Sequence, residues 1–245
     1  MTASEAANMV RRLQFRALGD RRVHKAAIEP GKSEIPVQRF DNVPRLFFPF
    51  LWVFWKLFYA VLTTAHWILN RTCRIDIEGH PEGRHILCGW HESIIPYSVA
   101  YRRLPLRYLV IQNNAWFMPP IIWLVRSRGG QSSIDISYSS FGKSTISKVT
   151  SQLAAGESLL AFPDGPSGPA HVLDRSLLVV AERSGAPIIP LRVETSMALV
   201  ISWAWDKKRI PLPFSRVRVR CGNPIVAVPG EREATERKLL AALGP

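Results

Sequence analysis

The chain has 245 residues, 47% of them apolar, which is enough for a sizeable core and excludes disorder throughout. Thirty-two Lys and Arg against nineteen Asp and Glu leave a net charge of +13, so polyanionic surfaces, nucleic acid or anionic lipid, attract it. Three cysteines, Cys73, Cys88 and Cys221, have no paired spacing, which excludes a disulfide framework and a zinc-ligand pattern and fits a reducing compartment.

Residues 1–45 form a polar, basic segment without a signal-peptide pattern, carrying Arg11, Arg12, Arg16, Arg21, Arg22 and Lys25. Basic residues ahead of an apolar run fit the cytoplasmic face of a membrane, so lipid rather than nucleic acid is the expected partner. Residues 46–70 are the next unit. Leu46 to Leu69 is long enough to cross a hydrocarbon core as a helix, yet Lys56 lies near its middle, where a lysine costs about 2.5–3.5 kcal/mol. Lys56, Tyr59, Thr63, His66 and Asn70 recur at helical spacing and form a polar stripe on an aromatic surface. That pattern fits an in-plane or re-entrant anchor, a spanning helix, or a helix docked on its own domain.

From residue 71 to 245 strand and helix patterns alternate. Cys73, Ile75 and Ile77 alternate with Arg74, Asp76 and Glu78, as in a half-buried strand, and residues 79–83 read as a turn. Ile86 to Trp90 is apolar without alternation, as a strand covered on both faces would be. Further strands are predicted at Leu106–Ile111, Ser133–Ser137, Ser158–Phe162, Pro187–Val193 and Arg216–Cys221. Helices are predicted at Pro120–Arg126, Lys143–Ala155, Leu173–Ser184 and Glu231–Leu243. The sum is an α/β fold, a mostly parallel or mixed sheet flanked by helices, behind an apolar N-terminal helix. Tyr138 to Ser144 lacks the first glycine of a phosphate loop, so nucleotide hydrolysis is rejected.

Two motifs close buried strands: Gly89-Trp90-His91-Glu92 and Phe162-Pro163-Asp164-Gly165-Pro166-Ser167-Gly168-Pro169. Carboxyl ends of strands line the crevice of an open α/β sheet, which makes His91 a candidate general base. Asp164 and Glu92 are the candidate carboxylates to orient it. Asp164 is favoured because it follows a neighbouring strand and adjacent side chains diverge; Glu92 also reads as a helix N-terminal acid. Among the other histidines only His171 is kept in reserve. Gly165 and Gly168, with Ser167 between them, either bring backbone amides to a substrate oxygen or form a rigid turn. Arg126 and Arg128 either bind donor phosphates or lipid head groups, or are solvated cations.

Phe162-Pro163-Asp164-Gly165 resembles the Phe-Pro-Glu-Gly block of the glycerolipid (lysophospholipid) acyltransferase superfamily, with aspartate for glutamate. The segments Asp164–Pro169 and Trp205–Arg216 look like signatures of a poorly characterised bacterial branch, and the three motifs stand in the right order between about Arg84 and Val226. The resemblance implies a histidine, here His91, that takes the proton of an acceptor hydroxyl, with acyl-CoA or an acyl carrier protein as donor substrate. It implies no cofactor, and the chain's ligand patterns imply no metal. The family's aspartate five residues after the histidine is replaced by Pro96, and its phosphate-gripping arginine by the Pro166-Ser167 stretch, which disfavours a phosphomonoester acceptor. The expected activity is transfer of a fatty acyl group from a thioester to a hydroxyl of a lysophospholipid, lipid or glycolipid, at the cytoplasmic face of a membrane. The alternative is a catalytically silent lipid-binding protein of the same fold, for which Pro96 is the best evidence. Acceptor, chain length, donor type, anchor geometry and oligomeric state stay open.

Overall fold

A computed structural model describes residues 44–79, 81–101, 108–113, 115–127, 133–136, 143–165 and 168–244. The apolar run becomes helix α1, Phe48–Thr72, with Pro49 in its first turn, where a missing N–H is harmless. The alternating stretch becomes β1, Arg74–Glu78, and the unalternating one β2, Ile86–Cys88, buried at every position. After a 3-10 turn, His91–Ser93, come α2, Ile94–Ala100, β3, Leu109–Asn113, α3, Met118–Ser127, β4, Ser133–Ile136, and α4, Lys143–Ala154. Then follow β5, Leu159–Ala161, α5, Ser176–Ser184, β6, Ile188–Thr195, β7, Ala198–Val200, β8, Arg209–Pro211, β9, Arg216–Cys221, and α6, Arg232–Leu243.

Most of these elements fall where the periodicity predicts them. Helix α5 starts later than the apolar pattern suggests, because Asp174 Oδ1 accepts the Ser176 N–H at 2.9 Å and closes a turn that the helix follows. Gly185, at φ 65°, ends it in the left-handed conformation. Helix α2 and the β7–β8 hairpin have no counterpart in the sequence reading.

Seven strands form one sheet in the order β1-β9-β6-β2-β5-β3-β4, and β7 pairs with β8 in a separate ribbon. Strands β6, β2, β5, β3 and β4 are mutually parallel. Strand β9 runs antiparallel to β6 and carries β1 parallel to itself. This is the expected mixed sheet flanked by helices. Ile86, Cys88, Leu159, Ala161 and Ile188 face α4, α5 and α6, whose Val149, Leu153, Leu177, Leu178 and Leu239 close one core. Leu87, Leu160, Ile189, Val217 and Val219 point the other way, towards Tyr97, Val99 and Ala100 of α2 and Leu69 of α1. Each fully buried Leu or Ile contributes roughly 1.5–3 kcal/mol.

Strand order also places a crevice. The chain leaves β2 for β3 on one side and leaves the adjacent β5 for β6 on the other. Crossovers of one hand taken in opposite directions put their helices on opposite faces, as α2 and α5 are. Loops then part above the β2–β5 boundary, the topological switch point at which open α/β sheets bind ligands.

Helix α1 is, among the described residues, the one helix long and apolar enough to cross a membrane. Its polar stripe is turned inward. Lys56 Nζ lies 5.6 Å from the Trp123 ring of α3, Tyr59 packs edge-on to the same ring, and Trp55 Nε1–H donates to Trp116 O at 2.8 Å. Further along, His66 Nε2 meets Ser98 O at 2.8 Å and Asn70 holds His66 Nδ1 at 2.7 Å. The stripe therefore docks on the chain's own domain, while Phe50, Trp52, Val53, Leu57, Val61 and Trp67 stay exposed.

Candidate functional site

His91 sits three residues past the end of β2, where extended Trp90 leads into the 3-10 turn. Its backbone N–H donates to Asp164 Oδ1 at 2.9 Å, and the other oxygen of that carboxylate accepts the His171 N–H at 3.2 Å. Asp164, buried at the end of β5, thus ties the two loops at the switch point together through backbone groups. The expectation that Asp164 orients the imidazole is corrected: each of its oxygens accepts one backbone amide, and it holds the main chain of His91, while the carboxylate bonded to the ring is a different one.

The carboxylate on the ring is Asp206. His91 Nδ1 lies 2.6 Å from Asp206 Oδ2, across 115 residues of sequence. Of the two groups at Nδ1 the carboxylate is the nearer, and the Lys208 ammonium has the same Asp206 oxygen as its own nearer partner, so Nδ1–H is assigned as donor to Asp206 and the lone pair of the imidazole to Nε2. Nε2 has no hydrogen bond to any described residue. Lys208 Nζ donates to the same Asp206 oxygen and lies 2.9 Å from Nδ1. Asp206 is 2% exposed. Burial pushes its carboxyl up, but the hydrogen bonds from His91 and Lys208 and the ammonium charge outweigh burial and bring the pKa down to about 2. Its other oxygen, Oδ1, is buried and has no donor among the described residues.

Asp206 arrives on the tip of the β7–β8 hairpin, which folds as successive tight turns: Ala204 N–H donates to Ile201 O and Lys207 N–H to Ala204 O. The neighbouring Trp205 lies over the imidazole, ring centroids 5.2 Å apart, and Phe162 closes the ring's edge at 6.0 Å. Sequence reasoning quoted Trp205–Arg216 as a motif without giving Asp206 a role. The available signal was one acid among Lys207, Lys208 and Arg209, next to two tryptophans.

Glu92, the second carboxylate considered, turns away from the ring. Its Oε2 lies 3.8 Å from His171 Nε2 and 3.5 Å from Arg209 Nε, and His171 in turn stacks on Trp90 at 5.2 Å. These contacts brace the loops around His91. Gly165 and Gly168 are turn residues, the second of the two readings left open by the sequence: their N–H groups donate to Phe162 O and Asp164 O. What the glycines supply is space. A Cβ on Gly165 would stand 2.6 Å from His91 Cδ2, and one on Gly168, at φ 71°, would stand 2.5 Å from Trp205 Cε3. Arg126 lies in the last turn of α3; its side chain, Ser167 and Arg128 lie outside the described residues.

The fold and site together define an α/β protein with a histidine–carboxylate pair at the switch point of its sheet. No family model matches the chain. An uncharacterized protein of Rickettsia prowazekii, RP090, is 29% identical over 83 residues, 34% of this chain and 38% of that relative's length. The match thus spans well under half of the curated relative. The solved structure of the 1-acyl-sn-glycerophosphate (LPA) acyltransferase PlsC from Thermotoga maritima is similar at a TM-score of 0.47 and 18% identity, over 70% of this chain and 71% of that one.

Proposed function

We propose that this chain is a membrane-surface acyltransferase that moves a fatty acyl group from a thioester to a lipid hydroxyl. The observation that carries the reading is the His91–Asp206 pair: Nδ1–H is held by a buried, ionised carboxylate, and Nε2 has no partner among the described residues at the carboxyl ends of β2 and β5. Nε2 takes the hydroxyl proton as the oxygen attacks the thioester carbonyl; the new ester bond forms, the C–S bond breaks, and the imidazolium returns the proton to the departing thiolate. Asp206 keeps the tautomer and stabilises the imidazolium, with Lys208 holding Asp206 ionised. The geometry fits a general base; the acyl chemistry is supplied by the resemblance of the Phe162–Gly165 and Trp205–Arg216 motifs. Acyl-CoA or an acyl carrier protein is the donor, and a lysophospholipid, another lipid or a glycolipid is the acceptor.

The rival, a silent lipid-binding protein, leaned on Pro96. Asp206 fills the position on the imidazole that Pro96 cannot, which removes that support. Lipid mass spectrometry of cells lacking the gene tests the proposal, with wild type or His91→Ala restored. A lipid species lost on deletion returns with wild type alone; equal rescue by both rejects catalysis through His91.

A further inference from the structure

The β7–β8 ribbon has two faces, and its register assigns them. Leu199 pairs with Ile210 and Ala198 with Pro211, so Met197, Leu199, Ile210 and Leu212 share one face while Pro211 points inward and is buried. A two-stranded ribbon lying on a domain normally turns a polar face to water. Here the outward face is apolar along its length, Leu199 being 57% exposed, and it continues into Phe214 and ends at Trp203, 86% exposed on the tip. Beside Phe214 an open cleft of about 340 Å³ is lined by Arg74, Arg216, Ser196 and Thr72. Arg216 reaches Asp76 at 3.2 Å; Arg74 forms no ion pair among the described residues.

We propose that this face is a second contact with an anionic bilayer: Leu199, Leu212, Phe214 and Trp203 rest at the acyl boundary while Arg74 and Arg216 take headgroup phosphates in the cleft. Three observations select lipid over a protein partner. Tryptophan with arginine and lysine is the composition that settles at a membrane interface. The net charge of +13 complements an anionic surface. The ribbon packs on α2, as does the exposed aromatic helix α1, so the two apolar surfaces share one neighbour. Both edges of the ribbon carry backbone groups that hydrocarbon would leave unsatisfied, which sets the depth at the headgroup level. The tip that bears Trp203 also bears Asp206, so bilayer contact steadies the segment that reaches His91. The inference concerns binding and stands apart from the transferase reading.

The test uses the full chain with Cys221→Ser, which leaves the buried Cys73 and Cys88, and an environment-sensitive fluorophore on Trp203→Cys or, as control, on Gln152→Cys in α4 on the opposite face. No acyl donor is present, so failure here does not bear on catalysis. With phosphatidylglycerol vesicles the label at 203 shifts to the blue and is quenched by spin-labelled lipid, while the label at 152 stays in water. Adding Arg74→Ala and Arg216→Ala raises the lipid concentration needed for the shift roughly 10- to 30-fold. A label at 203 that behaves like the one at 152, an equal response to phosphatidylcholine vesicles, or no vesicle binding each overturns the proposal.

Discussion

At the scale of single residues, the site turns on which nitrogen of His91 holds a proton, and Asp206 decides that. Asp206→Asn removes the charge and allows the amide to donate to Nδ1, moving the ring proton to Nε2, where it blocks the base. Acyl transfer should fall on the order of 10³–10⁴-fold with the circular dichroism of wild type, as when the acid of a triad is neutralised; a loss below tenfold would remove Asp206 from the mechanism. Its pKa is depressed to about 2 from 3.8, so the stabilising contact is fully present above about pH 4 and is lost as pH falls through 2. Asp206 therefore stays ionised across the neutral range. Lys208→Met removes a hydrogen bond and a positive charge that hold Asp206 ionised, so the Asp206 pKa should rise and the acid-side loss of stability should begin at higher pH. An acid side of the stability profile that stays put, or moves lower, refutes an electrostatic coupling of Lys208 to Asp206. His91 was legible from the sequence because it closes an unalternating buried strand. Its partner was not, because 115 residues and a hairpin without a periodic signal separate them.

Elements bring those residues together, and Asp164 is the clasp between two of them. The end of β2 and the loop after β5 each send one backbone N–H to its carboxylate. Asp164→Ala orphans both, at roughly 1–3 kcal/mol for each buried group left unsatisfied. The expected result is a lower urea midpoint together with lost activity, and Asp164→Asn, which keeps one side-chain carbonyl, recovers part of both. An unchanged midpoint would show that neither contact matters to stability. Strand identity came readily from sequence, since Ile75 and Ile77 alternate with charges and Ile86 to Cys88 do not. Pairing did not: β9 shows the same alternation whether it runs parallel or antiparallel to β6, and only tertiary packing settles the direction. Helix α2 was missed because seven residues with Pro96 among them carry too little periodicity. The β7–β8 ribbon was missed because three-residue strands fall below any pattern length.

For the membrane contact proposed above, the whole molecule bears on how α1 would meet a bilayer, which composition left open between lying in the interface, spanning and docking. A 25-residue helix is roughly 37 Å long, enough to cross, but α1 is held along that length. Trp55 and Tyr59 pack on Trp123 of α3, and His66 reaches Ser98 in α2. A perpendicular span would carry α3 and part of the sheet domain into hydrocarbon, where sheet edges and loops strand their backbone polar groups. With its polar stripe docked and Phe50, Trp52, Leu57 and Val61 exposed, α1 is better suited to lie in the plane of the headgroups, beneath the domain. The two arrangements differ in the side on which the chain before α1 is found. In sealed inverted vesicles, single cysteines placed at Ser33 and at Gln152 should both react with an impermeant maleimide before detergent is added. Reaction at 152 alone, with 33 labelled only after lysis, would establish a span and require α1 to detach from α3. Attachment itself should survive high-salt washing and yield to detergent, because salt screens the basic residues but leaves the exposed aromatic face in place.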